Sequence, residues 1–136
     1  MPETGTDLKS SWPAHTHFNS WMNQCPNNKI SGGKVISSKV MKKKTNPASQ
    51  VFRRAANALQ KSDIWLGHYF RRMKAKGGHK YAIVATANKL ATIYYIMVTE
   101  KKEYDPSASQ HNQQKYNLAK IVYYQRKLKE LEEQIA

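Results

Sequence analysis

The stretch HKYAIVATANKLATIYYIMV, from His79 to Val98, decides the fold, because it contains the most apolar window of the chain. Apolar side chains recur in it at spacings of four, three, four and three, which is typical of one helix face; they are Ile83, Ala87, Leu90, Tyr94 and Met97. Alanines at 82, 85, 87 and 91 let neighbouring helices approach closely. We therefore predict a central core helix over this stretch.

The same window, Tyr81–Val98, is long enough to raise the question of a membrane span. Asn88 and Lys89 lie near its centre, and polar or charged groups there are costly in a bilayer. We expect a buried helix and no membrane partner.

The flanking sequence predicts a mostly α fold of four to five helices. Capping signals and apolar spacing place the other helices at Trp12–Met22, from Asn46-Pro47 onward, from Asp63 to Gly77-Gly78, and at about Ser107–Gln134. Residues 1–11 are polar and contain one glycine, and we expect them to be irregular. Lys29–Thr45 carries no good helix signal, and we expect a loop with a short extended piece. The predicted organisation is an irregular N-terminus (1–11), one helical domain (12–106) and a C-terminal helix (107–136).

The last helix carries apolar residues at the spacing of a coiled-coil seam. They are Ile121, Tyr124, Leu128, Leu131 and Ile135. The seam covers about two heptads, which is too short to predict a coiled coil from the sequence.

The chain is strongly basic, and its charge is unevenly distributed. Its 136 residues hold 23 Lys and Arg against 9 Asp and Glu, a formal net charge of +14. Between Asp7 and Glu100 there are 16 basic residues and one acid, Asp63, whereas the remainder is nearly balanced. A polyanion would relieve this repulsion, so nucleic acid is the expected partner and an anionic membrane the weaker candidate.

The single cysteine, Cys25, excludes a disulfide within the chain and fits a reducing cytosol. No apolar secretory segment is visible at the N-terminus. We expect a cytoplasmic protein.

A nucleophile candidate lies in the turn Ser31-Gly32-Gly33-Lys34. A serine that attacks a phosphodiester needs close backbone approach, cationic surroundings and a path for its proton. Glycines permit the approach, and nearby lysines supply charge. The alternative reading, favoured by the motif alone, is a flexible turn in a basic loop.

Basic residues surround this turn with no interleaved acid, which favours phosphate contact over a solvated face. The predicted nucleic-acid-binding residues are Gly32, Gly33, Lys34, Lys39, Lys42, Lys43, Lys44, Arg53 and Arg54. The five histidines lack the spacing of a zinc site, and the acids are too scattered for a magnesium cluster. We predict no metal or other cofactor in this chain.

Several short motifs together resemble a known family. They are Phe18-Asn19-Ser20-Trp21, Cys25-Pro26-Asn27-Asn28, Ile30-Ser31-Gly32-Gly33-Lys34, Phe52-Arg53-Arg54-Ala55-Ala56, Leu66-Gly67, Tyr69-Phe70-Arg71-Arg72-Met73 and Ala85-Thr86-Ala87-Asn88-Lys89-Leu90-Ala91. In this order, from about Trp12 to Tyr116, the chain resembles the carboxy-terminal domain of bacterial transposases of the insertion sequence 110 family, which are related to the Piv and MooV DNA invertases.

The resemblance implies a function in DNA transposition and recombination. Family members join this domain to an amino-terminal RuvC-like domain, whose DEDD carboxylates hold magnesium. A serine is thought to attack DNA and form a phosphoserine intermediate, and Ser31 occupies that position here. DNA, a structured guide RNA in some members, and a homo-oligomer of the full-length protein are the implied partners, at the bacterial nucleoid.

Two departures from the family pattern matter. The RuvC-like domain is not found in this sequence, so we expect a truncated copy that lacks the metal site. The family's Trp-Leu-Gly-Leu run stands here as Trp21-Met22-Asn23-Gln24. The alternatives are a non-catalytic nucleic-acid-binding remnant and a helical interaction protein that uses its last helix.

Overall fold

The computed structural model describes residues 7–39 and 46–136, apart from the side chains at 108, 110 and 111. The fold is mostly α, as predicted. Its helices are α1 (Leu8–Ser11), α2 (His15–Trp21), α3 (Pro47–Ala58), α4 (Trp65–Glu100) and α5 (Ser107–Ile135). A 3₁₀ helix (Leu59–Lys61) joins α3 to α4, and two short strands, β1 (Lys29–Ser31) and β2 (Lys34–Ser37), form an antiparallel hairpin. The chain divides into two compact units, 1–104 and 105–136.

The start of α3 follows the predicted capping pattern. Asn46 has an extended backbone, its side-chain oxygen accepts a hydrogen bond from the Ala48 N–H at 3.0 Å, and Pro47 occupies the first turn. The predicted cap of the next helix is wrong. α4 begins after Ile64, and the Asp63 side chain makes no capping bond there.

The predicted interruption at Gly77-Gly78 is confirmed within α4. Gly78 has φ 85° and ψ 179°, a conformation that interrupts the helical backbone between residues 65–77 and 79–100. Glycine adopts a positive φ without the steric cost that a Cβ imposes. The two helical segments correspond to the two helices expected from the sequence.

The core lies where α1, α2 and α3 pack against the second segment of α4. The buried members of the main cluster are Leu8, Phe18, Met22, Ala91 and Tyr95. Aromatic contacts extend this cluster, including Phe18 against Trp12 at 5.3 Å between ring centroids. The expectation of an irregular segment at 1–11 is wrong for Leu8–Ser11: Asp7 accepts a hydrogen bond from the Ser10 N–H, and one helical turn buries Leu8. The rest of that expectation, at residues 1–6, lies outside the described residues.

The buried face of α4 differs from the predicted one. Its second segment buries Ala82, Thr86, Ala87, Ala91 and Tyr95, whereas the predicted Met97 is exposed. Three of these five residues are alanines, which let the helix axes approach closely, and Tyr95 contacts the Phe18 ring of α2 at 5.8 Å between centroids. Of the predicted stripe, only Ala87 is fully buried.

α4 is long and apolar enough to cross a membrane by length and composition. The same test is passed by the core helix of a soluble protein, and α4 packs on α1, α2 and α3. The structure is compatible with a soluble protein.

Candidate nucleic-acid interface

The predicted nucleophile lies at the tip of the β1–β2 hairpin. Ser31 ends β1 and pairs with Lys34, the first residue of β2, across the two-residue loop Gly32-Gly33. Both glycines have positive φ, +56° and +75°, as a type I′ hairpin turn requires. The extended piece expected within Lys29–Thr45 is therefore a tight hairpin, and its turn depends on glycine.

Ser31 and Lys34 share one face of the hairpin, because directly opposed residues of an antiparallel pair point to the same side. Both side chains are exposed. Within residues 7–39 and 46–136, no side chain hydrogen-bonds to the Ser31 hydroxyl. The arrangement presents an exposed hydroxyl beside an exposed cation, and a Cβ built on either glycine meets no described atom within 4 Å.

The strands project away from the helices. Ile30, Val35 and Ile36 are each more than half exposed, and among the described elements the strands contact only each other. The two ends of the segment that contains the hairpin are joined by a backbone hydrogen bond, in which the Asn27 N–H donates to the Lys39 carbonyl at 3.1 Å. A ligand can therefore reach both faces of the hairpin.

The segment that leads into the hairpin is held by α3 and α4. The Arg53 guanidinium donates to the Asn23 carbonyl at 3.0 Å, and the Asn88 amide donates to the Gln24 carbonyl at 3.1 Å. Asn88 also accepts from the Asn19 amide at 3.3 Å. These bonds tie α2, α3 and α4 to the start of the hairpin segment.

Several polar atoms in this region are buried without a hydrogen-bond partner among the described residues: both amide atoms of Gln24, Oδ1 of Asn19, Nε of Arg53 and Oγ1 of Thr86. Buried polar atoms of this kind are commonly bridged by water. Gln24 itself is 1% exposed. The anchor of the hairpin is thus a buried polar cluster rather than an apolar contact.

The predicted binding residues divide into three groups. Lys34, Lys39 and Arg54 are exposed, together with Gly32 and Gly33. Arg53 is half-buried and bonded to the backbone of Asn23. Lys42, Lys43 and Lys44 lie outside the described residues.

The sequence did not predict two structural roles. Asn19 and Asn88 hold the segment that leads into the hairpin, and only their places in the motifs quoted above pointed to them. Arg71 donates to the backbone carbonyls of Gln60 and Ser62, both at 2.9 Å, so its charge is occupied at the α3–α4 corner. No local sequence pattern distinguishes such a cation from one that binds a ligand.

No group of three or more His, Cys, Asp or Glu side chains that could hold a metal ion occurs within 7–39 and 46–136.

Comparisons of the chain with protein-family models, with curated proteins and with solved structures found no significant match.

Proposed function

We propose that this chain is the serine-bearing, DNA-acting domain of a transposase of the insertion sequence 110 family. The observation that carries the proposal is the exposed Ser31, which lies beside Lys34 at the tip of a hairpin closed by two glycines. The motif resemblance supplies the reaction. The proposal includes a bacterial, cytoplasmic location at the nucleoid and a homo-oligomeric full-length enzyme.

In the proposed step, Ser31 Oγ attacks the phosphorus of a DNA phosphodiester. The hydroxyl proton passes to water, a P–O bond forms to the serine, and the bond to one sugar oxygen breaks. The departing oxygen takes a proton from water, which leaves a phosphoserine link and a free DNA hydroxyl. Attack of a DNA hydroxyl on this link restores the serine. Magnesium is expected from the RuvC-like domain of family members and not from this chain.

The cations have distinct proposed roles. Lys34 faces the same side as Ser31 and offsets the phosphate charge, while Lys39 and Arg54 contact the flanking backbone of DNA or guide RNA. Lys42, Lys43 and Lys44 extend this set. Arg53 supports the site through its bond to Asn23.

Replacement of Ser31 by Ala tests the reaction. With a RuvC-like transposase domain supplied in trans, we expect Ser31→Ala to abolish strand joining and the covalent protein–DNA species. DNA binding should change by less than about 0.5 kcal/mol, as for a surface substitution. Ser38→Ala, a change of a second exposed serine in the same segment, is the matched control and should retain both.

Two results would reject the nucleophile. Strand joining by Ser31→Ala would show that another group attacks. Loss of DNA binding in Ser31→Ala, with Ser38→Ala unaffected, would assign Ser31 a structural role.

A second candidate is a nucleic-acid-binding module that performs no reaction. It is favoured by the finding that no side chain within 7–39 and 46–136 hydrogen-bonds to the Ser31 hydroxyl, so none is placed to take its proton. Normal binding by the unmodified chain, with no adduct even in the presence of the RuvC-like domain, would establish this alternative.

A further inference from the structure

α5 is a long helix that exposes apolar side chains along its second half. Every described side chain from 114 to 136 is exposed. The stripe Ile121, Tyr124, Leu128, Leu131 and Ile135, hereafter the α5 seam, has fractional exposures from 49% to 86%. In water a continuous apolar stripe on a helix is typical of a surface that another helix covers.

The charges beside the α5 seam indicate what that partner is. In heptad terms Lys127 lies on one flank of the seam, and Glu132 lies on the other, five residues later. In a parallel pair of identical helices these two positions face each other, so each Lys127 meets Glu132 of the second copy. In an antiparallel pair each flank faces its own kind, which would bring lysines opposite lysines.

Lys127 can exchange its present partner for this contact. Its ammonium lies 3.6 Å from the Glu130 carboxylate on the same helix, but both side chains are about half exposed. An exposed ion pair of this kind contributes little stability, so exchange for an interhelical pair carries little penalty. The same Glu130 carboxylate also lies 3.6 Å from the Arg126 guanidinium, so it keeps a partner after this exchange.

We propose that a second copy of this chain docks on the α5 seam and forms a parallel two-stranded coiled coil over residues 121–135. Two heptads from each chain bury on the order of 1,000 Å², slightly below the standard range of stable interfaces. The dimer is therefore reversible. The proposal rests on α5 alone and is independent of the reaction at Ser31.

Sedimentation equilibrium of the full chain at micromolar concentrations tests the assembly. We expect a concentration-dependent rise from the chain mass of 15.7 kDa toward twice that value. Leu128→Glu places a charge in the α5 seam and should weaken the dimer by at least about tenfold. Val122→Glu makes the same type of change at an exposed apolar residue beside the seam and should leave the dimer intact.

Two outcomes would overturn the second copy as the occupant. A chain that stays monomeric at every concentration would show that the seam is covered in another way or not at all. Equal weakening by Leu128→Glu and Val122→Glu would indicate nonspecific association of apolar surface.

The parallel orientation has its own test. In a Cys25→Ser background, Ile135→Cys puts one thiol near the end of α5, and mild oxidation should give a covalent dimer only if both ends lie together. Leu128→Glu in this background should abolish the cross-link. Lys127→Glu should weaken the dimer, and Lys127→Glu with Glu132→Lys should restore it; a dimer without the cross-link or the rescue would reject the parallel arrangement.

Discussion

At the scale of single residues, Asn88 connects parts of the chain that are far apart in sequence. Its amide donates to the Gln24 carbonyl and accepts from Asn19, and the Asn19 amide also donates to Thr92 at 2.8 Å. Asn19 is 2% exposed, so bulk water cannot take the place of these hydrogen-bond partners. A buried group that loses its partner costs more than an exposed bond contributes.

We expect Asn88→Ala to lower the free energy of unfolding by about 1–3 kcal/mol, because the Gln24 carbonyl loses its donor and Asn19 loses one acceptor. Urea denaturation followed by circular dichroism measures the change. Asn57→Ala, on the exposed face of α3, is the control and should stay within about 0.5 kcal/mol. Equal effects of the two substitutions would contradict the anchoring role of Asn88.

Gly67 marks a second residue-level constraint, at the α3–α4 corner. A Cβ at this position would overlap the Ser62 carbonyl oxygen and lie 2.9 Å from the Leu59 carbonyl oxygen. Both obstacles are backbone atoms, which cannot move without shifting the 3₁₀ helix. Close packing against backbone therefore explains why glycine occupies the second position of the Leu66-Gly67 motif.

We expect Gly67→Ala to lower the melting temperature by several degrees, because overpacking against backbone costs about 1–3 kcal/mol. Thermal denaturation measures it. Gly33→Ala is the comparison, since its Cβ meets nothing within 4 Å and the positive φ strains only the exposed turn. A melting temperature unchanged by Gly67→Ala would show that the corner can relax.

At the scale of elements, the hairpin and the helices have separate determinants. The hairpin depends on its turn, because its strands contact no helix among the described elements. The helices depend on the core cluster around Phe18 and Tyr95. A change confined to the turn should therefore alter the hairpin without unfolding the domain.

We expect Gly32→Val to raise amide exchange in β1 and β2 about tenfold or more, because a positive φ costs a side chain about 1–2 kcal/mol. NMR-detected hydrogen exchange measures the effect. The domain's free energy of unfolding should stay within about 0.5 kcal/mol. Gly32→Asn is the control, since Asn-Gly suits a type I′ turn; faster exchange in this variant as well would contradict the assigned turn.

At the scale of the whole molecule, the charge of +14 is the dominant property. Some of the cationic side chains already make hydrogen bonds within the protein: Arg53 and Arg71 donate to backbone carbonyls. The Arg72 guanidinium lies over the Tyr69 ring at 5.5 Å from its centroid. The exposed lysines of the hairpin segment are better placed to meet a polyanion.

We expect affinity for duplex DNA to fall steeply with salt, with log K decreasing by about 0.9 per phosphate contact for each tenfold rise in salt. Lys34→Gln and Lys39→Gln should each reduce that slope by about 0.9 if each lysine meets one phosphate. Fluorescence anisotropy titrations measure it. Lys102→Gln is the control, because Lys102 pairs with Glu100 at 3.0 Å; flat, weak binding by the unmodified chain would leave the charge as a solvated surface.

The sequence by itself determined the features that depend on near neighbours: the mostly α content, the Asn46-Pro47 helix start, the break at Gly78 and the region of the glycine turn. Caps, breaks and turns are set by a few adjacent residues. The role of Ser31 in catalysis stays a prediction.

Only the tertiary structure decided which face of α4 is buried, that Leu8 joins the core, and that Arg53 and Asn88 anchor the hairpin segment. These features depend on contacts between residues about 30 to 80 positions apart, such as Arg53 with Asn23 and Tyr95 with Trp12, which no local pattern encodes.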